Sequence, residues 1–203
     1  YVEQKIKLSS KIEPSGRIEN YLVVEKVHEG ETAKEAWYRK TNRSYVKIFT
    51  PLGSQLGYLN GNEARKIKPA VDYLAAGYLK DPDLEAVEAT ASVIKEFGAD
   101  ALEESGKTVF GFWFSLPAGA AKKIELQYYN PTRLNLGERA IAYEFIFEKQ
   151  SGAKTSLDFL IEAPPGYRFR ETSQPLFNYV APDPPAGLQV KLTLVPDRPV
   201  NQR

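Results

Sequence analysis

Apolar and polar residues alternate along much of this chain, the signature of strands that bury one face. Ile6, Leu8 and Ile12 fall on one side of such a pattern, and Lys5, Lys7 and Lys11 on the other. Pro14-Ser15-Gly16 then supplies turn chemistry before a β-branched and aromatic run from Arg17 to Val27, so the two segments predict a hairpin. Tyr45-Val46-Lys47-Ile48-Phe49 predicts a further strand stopped by Pro51 and Gly53. Proline cannot donate to a central ladder, so this strand is expected at a sheet edge. Phe110, Phe112, Phe114 and Leu116 alternate with Val109, Gly111, Trp113 and Ser115, and after Pro117-Ala118-Gly119 the pattern resumes at Ile124, Leu126 and Tyr128. The two runs read as strands meeting across a short turn. Ile141, Tyr143, Phe145 and Phe147 lead through Ser151-Gly152 to Leu157, Phe159 and Ile161, which predicts another hairpin, and Leu188, Val190, Leu192 and Leu194 predict a last strand.

One interval departs from this period. Asp81-Pro82-Asp83 followed by Leu84, Val87, Ala91 and Ile94 has helical spacing, with Asp81 placed to cap, Pro82 at the first helical position and Gly98 at the end. Asp83, Glu85 and Glu88 near its start and Lys95 near its end suit the helix dipole. A strand over Ser92 to Phe97 is the alternative, and periodicity leaves the choice open. Pro164-Pro165-Gly166 and Pro182-Asp183-Pro184-Pro185 read as rigid loops. The expected fold is mainly β with at most about one sixth helix: an antiparallel β-sandwich, one large domain over residues 1–203 or two abutting lobes, with a short helix inserted between the Tyr45 and Phe110 strands.

Composition narrows the partners. Lys plus Arg number 27 against 26 Asp plus Glu, so no net field draws a phosphate backbone and nucleic acid is not expected. Cysteine is absent, which removes disulfides, thiolate metal ligands and cysteine nucleophiles together. No window approaches the roughly 20 apolar residues that cross a bilayer, so no membrane insertion by this segment is expected. The chain opens on Tyr1 and holds no methionine, which reads as a piece of a longer or processed protein.

Catalytic chemistry is hard to assemble from these residues. His28 is the only histidine, no Gly-x-Ser-x-Gly elbow occurs, and His28 reads as a strand-end surface residue. No metal site and no cofactor is expected. Asp81-x-Asp83-x-Glu85 lacks the glycine and distal glutamate of a calcium loop and reads as helix capping. Glu103, Glu104, Glu125, Glu144 and Glu148 could supply an acid and nucleophile pair for glycoside cleavage, but solvated strand faces account for them. Gly106-Lys107-Thr108 lacks the upstream glycine of a phosphate loop and reads as a turn into a strand. An isopeptide crosslink is conceivable for Lys47 or Lys149 with Asn130. Arg39, Lys40, Arg43 and Lys47, interleaved with Trp37, Tyr38 and Tyr45, have the flavour of a patch for acidic glycans or nucleic acid, against the plainer reading of a solvated loop and strand face.

Several local motifs together resemble another group of sequences. Tyr1-Val2-Glu3-Gln4-Lys5 with Gly16-Arg17-Ile18-Glu19-Asn20, Tyr45 to Pro51 with Gly53-Ser54, Glu104-Ser105-Gly106-Lys107-Thr108-Val109-Phe110-Gly111, Tyr128-Tyr129-Asn130-Pro131, Glu148-Lys149-Gln150-Ser151-Gly152 and Ala163-Pro164-Pro165-Gly166 follow one order. In that order they resemble the C-terminal domain of the bacterial DUF4012 family, membrane-anchored envelope proteins of unknown function. Ser151 stands where that family often has proline, and the tyrosine pair departs from a commoner leucine-proline ending. The resemblance implies an extracellular or cell-surface location behind an N-terminal membrane anchor, and it carries no catalytic residues.

The expected function is therefore a non-catalytic envelope domain making structural or protein contacts, with binding of an envelope polysaccharide as the alternative. If Leu116 pairs with Ile124, Phe114 faces Leu126 and Phe112 faces Tyr128, and Trp113 lies opposite Gln127 and diagonal to Tyr129 on the other face. Trp113, Gln127 and Tyr129 are thus the candidate ligand- or partner-binding residues. The segment from Leu84 to Phe97 is expected to pack over Trp113 and Tyr129.

Overall fold

The opening hairpin forms as its turn chemistry requires. In the computed structural model, which describes residues 1–64, 71–150 and 152–197, β1 (Val2–Ile12) pairs with β2 (Ile18–His28) from Val2 opposite His28 to Ile12 opposite Ile18. Gly16 closes the turn at φ +77°, and its missing side chain lets the Leu134 backbone lie against it. The chain continues through β3 (Asn42–Pro51), β4 (Gln55–Asn60), α1 (Pro82–Ala89), β5 (Ser92–Ile94), β6 (Ala99–Glu104), β7 (Lys107–Leu116) and β8 (Ala121–Tyr129). It ends with β9 (Ile141–Glu148), β10 (Thr155–Glu162), β11 (Tyr167–Phe169), β12 (Leu176–Ala181) and β13 (Gly187–Pro196). Among the described residues 54% are in strands and 8% are helical, within the helix content expected.

The strands form three sheets. Six of them run in the order β12-β10-β1-β2-β8-β4, four in the order β3-β7-β6-β5, and three in the order β11-β13-β9. β3 is an edge strand ended by Pro51, as its proline predicts. One apolar cluster joins all three sheets: Leu8, Leu22 and Leu126 of the six-stranded sheet, Phe110, Phe112 and Phe114 of β7, and Tyr143, Leu192 and Leu194 of the smallest sheet. Phe145 of β9 stacks on Phe159 of β10 with ring centroids 3.9 Å apart, so the smallest sheet packs on the largest. One pair breaks the antiparallel rule: β1 lies parallel to β10, Gln4 opposite Thr155 through Lys11 opposite Glu162.

Two expected hairpins are not hairpins. β7 pairs with β3 and β6, whereas β8 pairs with β2 and β4, so residues 117–120 cross from one sheet to another. Within that crossing Gly119 N–H donates to the His28 carbonyl at 2.8 Å and His28 N–H to the Ala120 carbonyl at 3.0 Å, which extends the β2 ladder rather than folding β8 back on β7. The physical reason is burial. Phe112, Phe114 and Leu116 meet the inner face of the other sheet across the core, where both apolar rows are excluded from water. Likewise β9 pairs with β13, and β10 with β1 and β12; of the expected turn there, Ser151 lies outside the described residues.

The helix is shorter than its pattern. Asp81 caps it, its Oδ1 accepting from the N–H groups of Asp83 at 2.9 Å and Leu84 at 3.3 Å, but it stops at Ala89 and the Ser92–Ile94 segment pairs with β6 as a strand. Gly98, at φ +59°, turns the chain into β6 instead of capping a helix. Val93 and Ile94 favour the extended form, and a sheet edge was available to take them.

Candidate functional site

The register brings two of the three sequence-selected residues together and separates the third. Trp113 lies on the outer face of the four-stranded sheet, where its ring meets that of its cross-strand partner Tyr45, centroids 5.3 Å apart and tilted by 60°. Tyr45 crosses Gly111, where any Cβ would overlap its ring, and its hydroxyl donates to Asp100 Oδ2 at 2.7 Å. Burial and that carboxylate push the Tyr45 hydroxyl well above its ordinary range. Gln127 and Tyr129 sit instead on the outer face of the six-stranded sheet. Gln127 donates to the Glu19 carboxylate, and the Arg17 guanidinium lies 3.7 Å from the Tyr129 ring centre. The expected shelf joining Trp113 to Tyr129 is therefore not formed. Nor does the segment after Leu84 cover both rings: α1 lies beside β6 and buries none of its residues.

Other candidates resolve in structural terms. His28 is buried, not on the surface: its Nδ1 accepts from Gly30 N–H at 3.1 Å and its Nε2 donates to the Lys40 carbonyl at 3.1 Å, which fastens the loop between β2 and β3. The basic and aromatic cluster is dispersed. Arg39 donates to the Ala33 and Lys34 carbonyls, Lys47 pairs with Glu104 at 2.5 Å, and the Trp37 ring lies tilted beside that of Tyr38 on the loop. Lys149 pairs with Asp183, and Asn130 accepts from Asn20 Nδ2, so neither lysine is directed to Asn130. Glu103 and Glu104 stand on the four-stranded sheet, Glu125 on the six-stranded and Glu144 and Glu148 on the three-stranded. Four of them are ion-paired, Glu104 with Lys47, Glu125 with Lys123, Glu144 with Lys191 and Glu148 with Lys107. A groove of about 400 Å³ lies between Glu138, Arg168, Arg170 and Ser173, and none of the three selected residues lines it.

Two features were not singled out from sequence. The first is an apolar projection between β4 and β5. Leu79 is 96% exposed, Leu74 66% and Tyr78 62%, with Val71, Tyr73 and Leu84 exposed beside them in sequence. The projection is built rather than loose: Ala76 N–H donates to the Asp72 carbonyl at 2.9 Å, Tyr78 N–H to the Tyr73 carbonyl at 2.9 Å, and the two tyrosine rings meet edge to face at 5.4 Å. Its apolar residues were legible, but no period distinguishes an exposed apolar run from a buried one. The second is a polar thread inside the sandwich. Ser10 Oγ donates to Asn20 Oδ1 at 2.7 Å and Asn20 Nδ2 to Asn130 Oδ1 at 2.8 Å. An asparagine in the inward row Ile18, Asn20, Leu22, Val24 was the available signal.

No helix among the described residues is long and apolar enough to cross a membrane, and no three acidic or histidine side chains there are grouped to hold a metal ion. Comparison of the chain with models of known protein families and with curated proteins finds no match.

Proposed function

We propose that this chain is a non-catalytic cell-envelope domain that works by holding a protein partner, and that residues 71–84 make the contact. The exposure of Leu79, Leu74 and Tyr78 carries this reading. Contiguous apolar side chains left in water on a folded protein mark a surface that another molecule covers. Asp81, Asp83, Glu85 and Glu88 close the stretch in sequence, with Lys80 engaged by Glu85 at 2.5 Å, and the partner this reading requires is one that presents an apolar surface. The dispersal of the carboxylates over three sheets supports a binding role over hydrolysis. The resemblance to the DUF4012 family supports the envelope location behind a membrane anchor.

A photo-crosslinking amino acid in place of Leu79, in the parent protein in intact cells, tests this. It should give one protein adduct that Leu74→Ser weakens and that the same group in place of Val180, an exposed residue of β12, does not give. No adduct at position 79, or the same adducts from both positions, would remove the proposal.

A further inference from the structure

The outer face of the six-stranded sheet carries a second surface, with a chemistry unlike that of the projection. Register across β2, β8 and β4 sets Tyr21, Gln127 and Tyr58 side by side. The row on one side holds Glu19, Tyr129 and Gln55, and the row on the other Val23, Glu125 and Asn60. With strands about 4.8 Å apart, Tyr21 and Tyr58 stand roughly 10 Å from each other with an amide between them. That span matches sugar rings two units apart in an extended glycan.

A β-bulge makes the arrangement. The pairing of β4 with β8 slips between Leu56 and Tyr58, so that Leu59 turns into the core and Tyr58 outward beside Gln127. Gly57 is the residue at the slip, and a Cβ there would come within 2.8 Å of the Tyr129 ring and 3.4 Å of Gln127 Oε1. Tyr21 is 38% exposed and Tyr58 39%, enough to offer ring surface to a ligand while their positions are held by the strands.

The polar groups around the two rings are oriented by one another. Tyr21 donates to Glu125 Oε1 at 2.9 Å, Asn60 Nδ2 to Glu125 Oε2 at 3.3 Å, and Lys123 pairs with Glu125 at 2.9 Å. Gln127 donates to Glu19, and Arg17 is engaged over Tyr129. Each of these carboxylates is matched by donors of the same face, so an ionic ligand would have to break an existing pair, whereas hydroxyl groups can use the lone pairs and N–H bonds left over. We propose that this face binds a neutral polysaccharide, with sugar rings two units apart stacked on Tyr21 and Tyr58, the ring between them over Gln127, and their hydroxyls bonded to Gln127, Asn60 and Glu125. This goes beyond the protein contact at residues 71–84 and does not depend on it.

Affinity electrophoresis of the chain through gels holding soluble neutral polysaccharides (β-glucan, mannan, xylan, galactan), with alginate as the anionic comparator, tests the assignment, followed by titration with an oligosaccharide of whichever polymer retards it. At least one neutral polymer should retard the chain. Tyr21→Ala and Tyr58→Ala should each weaken binding about tenfold and Tyr58→Phe by no more than about twofold, because the ring face supplies the contact. Leu79→Ser should leave it unchanged, which keeps this result separate from that for the protein contact. Resonances of the Tyr21 and Tyr58 rings in the unaltered chain should shift on adding the oligosaccharide, a readout independent of whether the variants fold. Retardation by alginate alone, by none of the polymers, or by a neutral polymer with both alanine variants binding normally would overturn the proposal.

Discussion

Replacing Asn20 by leucine should cost far more than the change in size implies. Asn20 is 3% exposed in a row of apolar residues, and its amide bridges Ser10 of β1, Asn130 beyond β8 and, at 3.4 Å, the Tyr128 carbonyl. Leucine fills the volume but strands the Ser10 hydroxyl and the Asn130 carbonyl. A stranded buried polar group costs roughly 1–3 kcal/mol. Asn130 is only partly buried, so the lower half of that range applies to it, and with the buried Ser10 near the middle of the range the sum is about 3 kcal/mol. For a chain of this length that lowers Tm by roughly 6–12 °C. Urea denaturation followed by tryptophan fluorescence measures it, provided the transition is two-state. The diagnostic variant is the double replacement Ser10→Ala with Asn20→Leu. Removing the stranded hydroxyl along with its partner should recover about 1 kcal/mol. Asn20→Leu within about 0.5 kcal/mol of the unaltered chain, or a double variant as unstable as the sum of the singles, would refute the reasoning.

Other consequences follow from the same interior and from the surfaces. Burial pushes the Tyr143 hydroxyl up from 10.0 to about 12 and raises Tyr128 as well. The unfolded chain therefore ionises first; this contribution is complete below pH 10 and is lost as pH rises toward 12, about 3 kcal/mol for Tyr143. Urea midpoints that stay level across that window would contradict it. Gly111→Ala should drive Tyr45 off the sheet and cost about 2 kcal/mol through loss of the Asp100 hydrogen bond, read from chemical denaturation and from the fluorescence of Trp113 beside it. An unchanged denaturation midpoint would show that Tyr45 shifts freely. Leu74→Ser and Leu79→Ser should change stability by less than about 0.5 kcal/mol, because these side chains are already in water; a large loss would mean they pack in solution.

Sequence by itself determined where most strands lie and which side of each is apolar. The alternation at Phe110 to Leu116, Ile124 to Tyr128 and Leu188 to Leu194 is written locally, and every residue assigned to the core side of the Phe110 and Ile124 runs is buried. The first hairpin was legible too, since a turn of a few residues determines its own register. Four strands were not. β4 carries the Gly57 bulge, which shifts its period, β6 turns small Ala99 and Ala101 inward, β11 spans three residues, and β12 has apolar residues on both faces. What only the tertiary structure decided is which strand neighbours which. A period of two assigns a face but names no partner, so the Phe112 row and the Leu126 row fit a hairpin and opposed sheets equally well from sequence. Burial of both rows across one core selects opposed sheets, and that choice sends Trp113 to one outer surface and Gln127 and Tyr129 to another. The setting of Tyr21 and Tyr58 around Gln127 depends on the same long-range pairing and on one bulge, which is why no local pattern announced it.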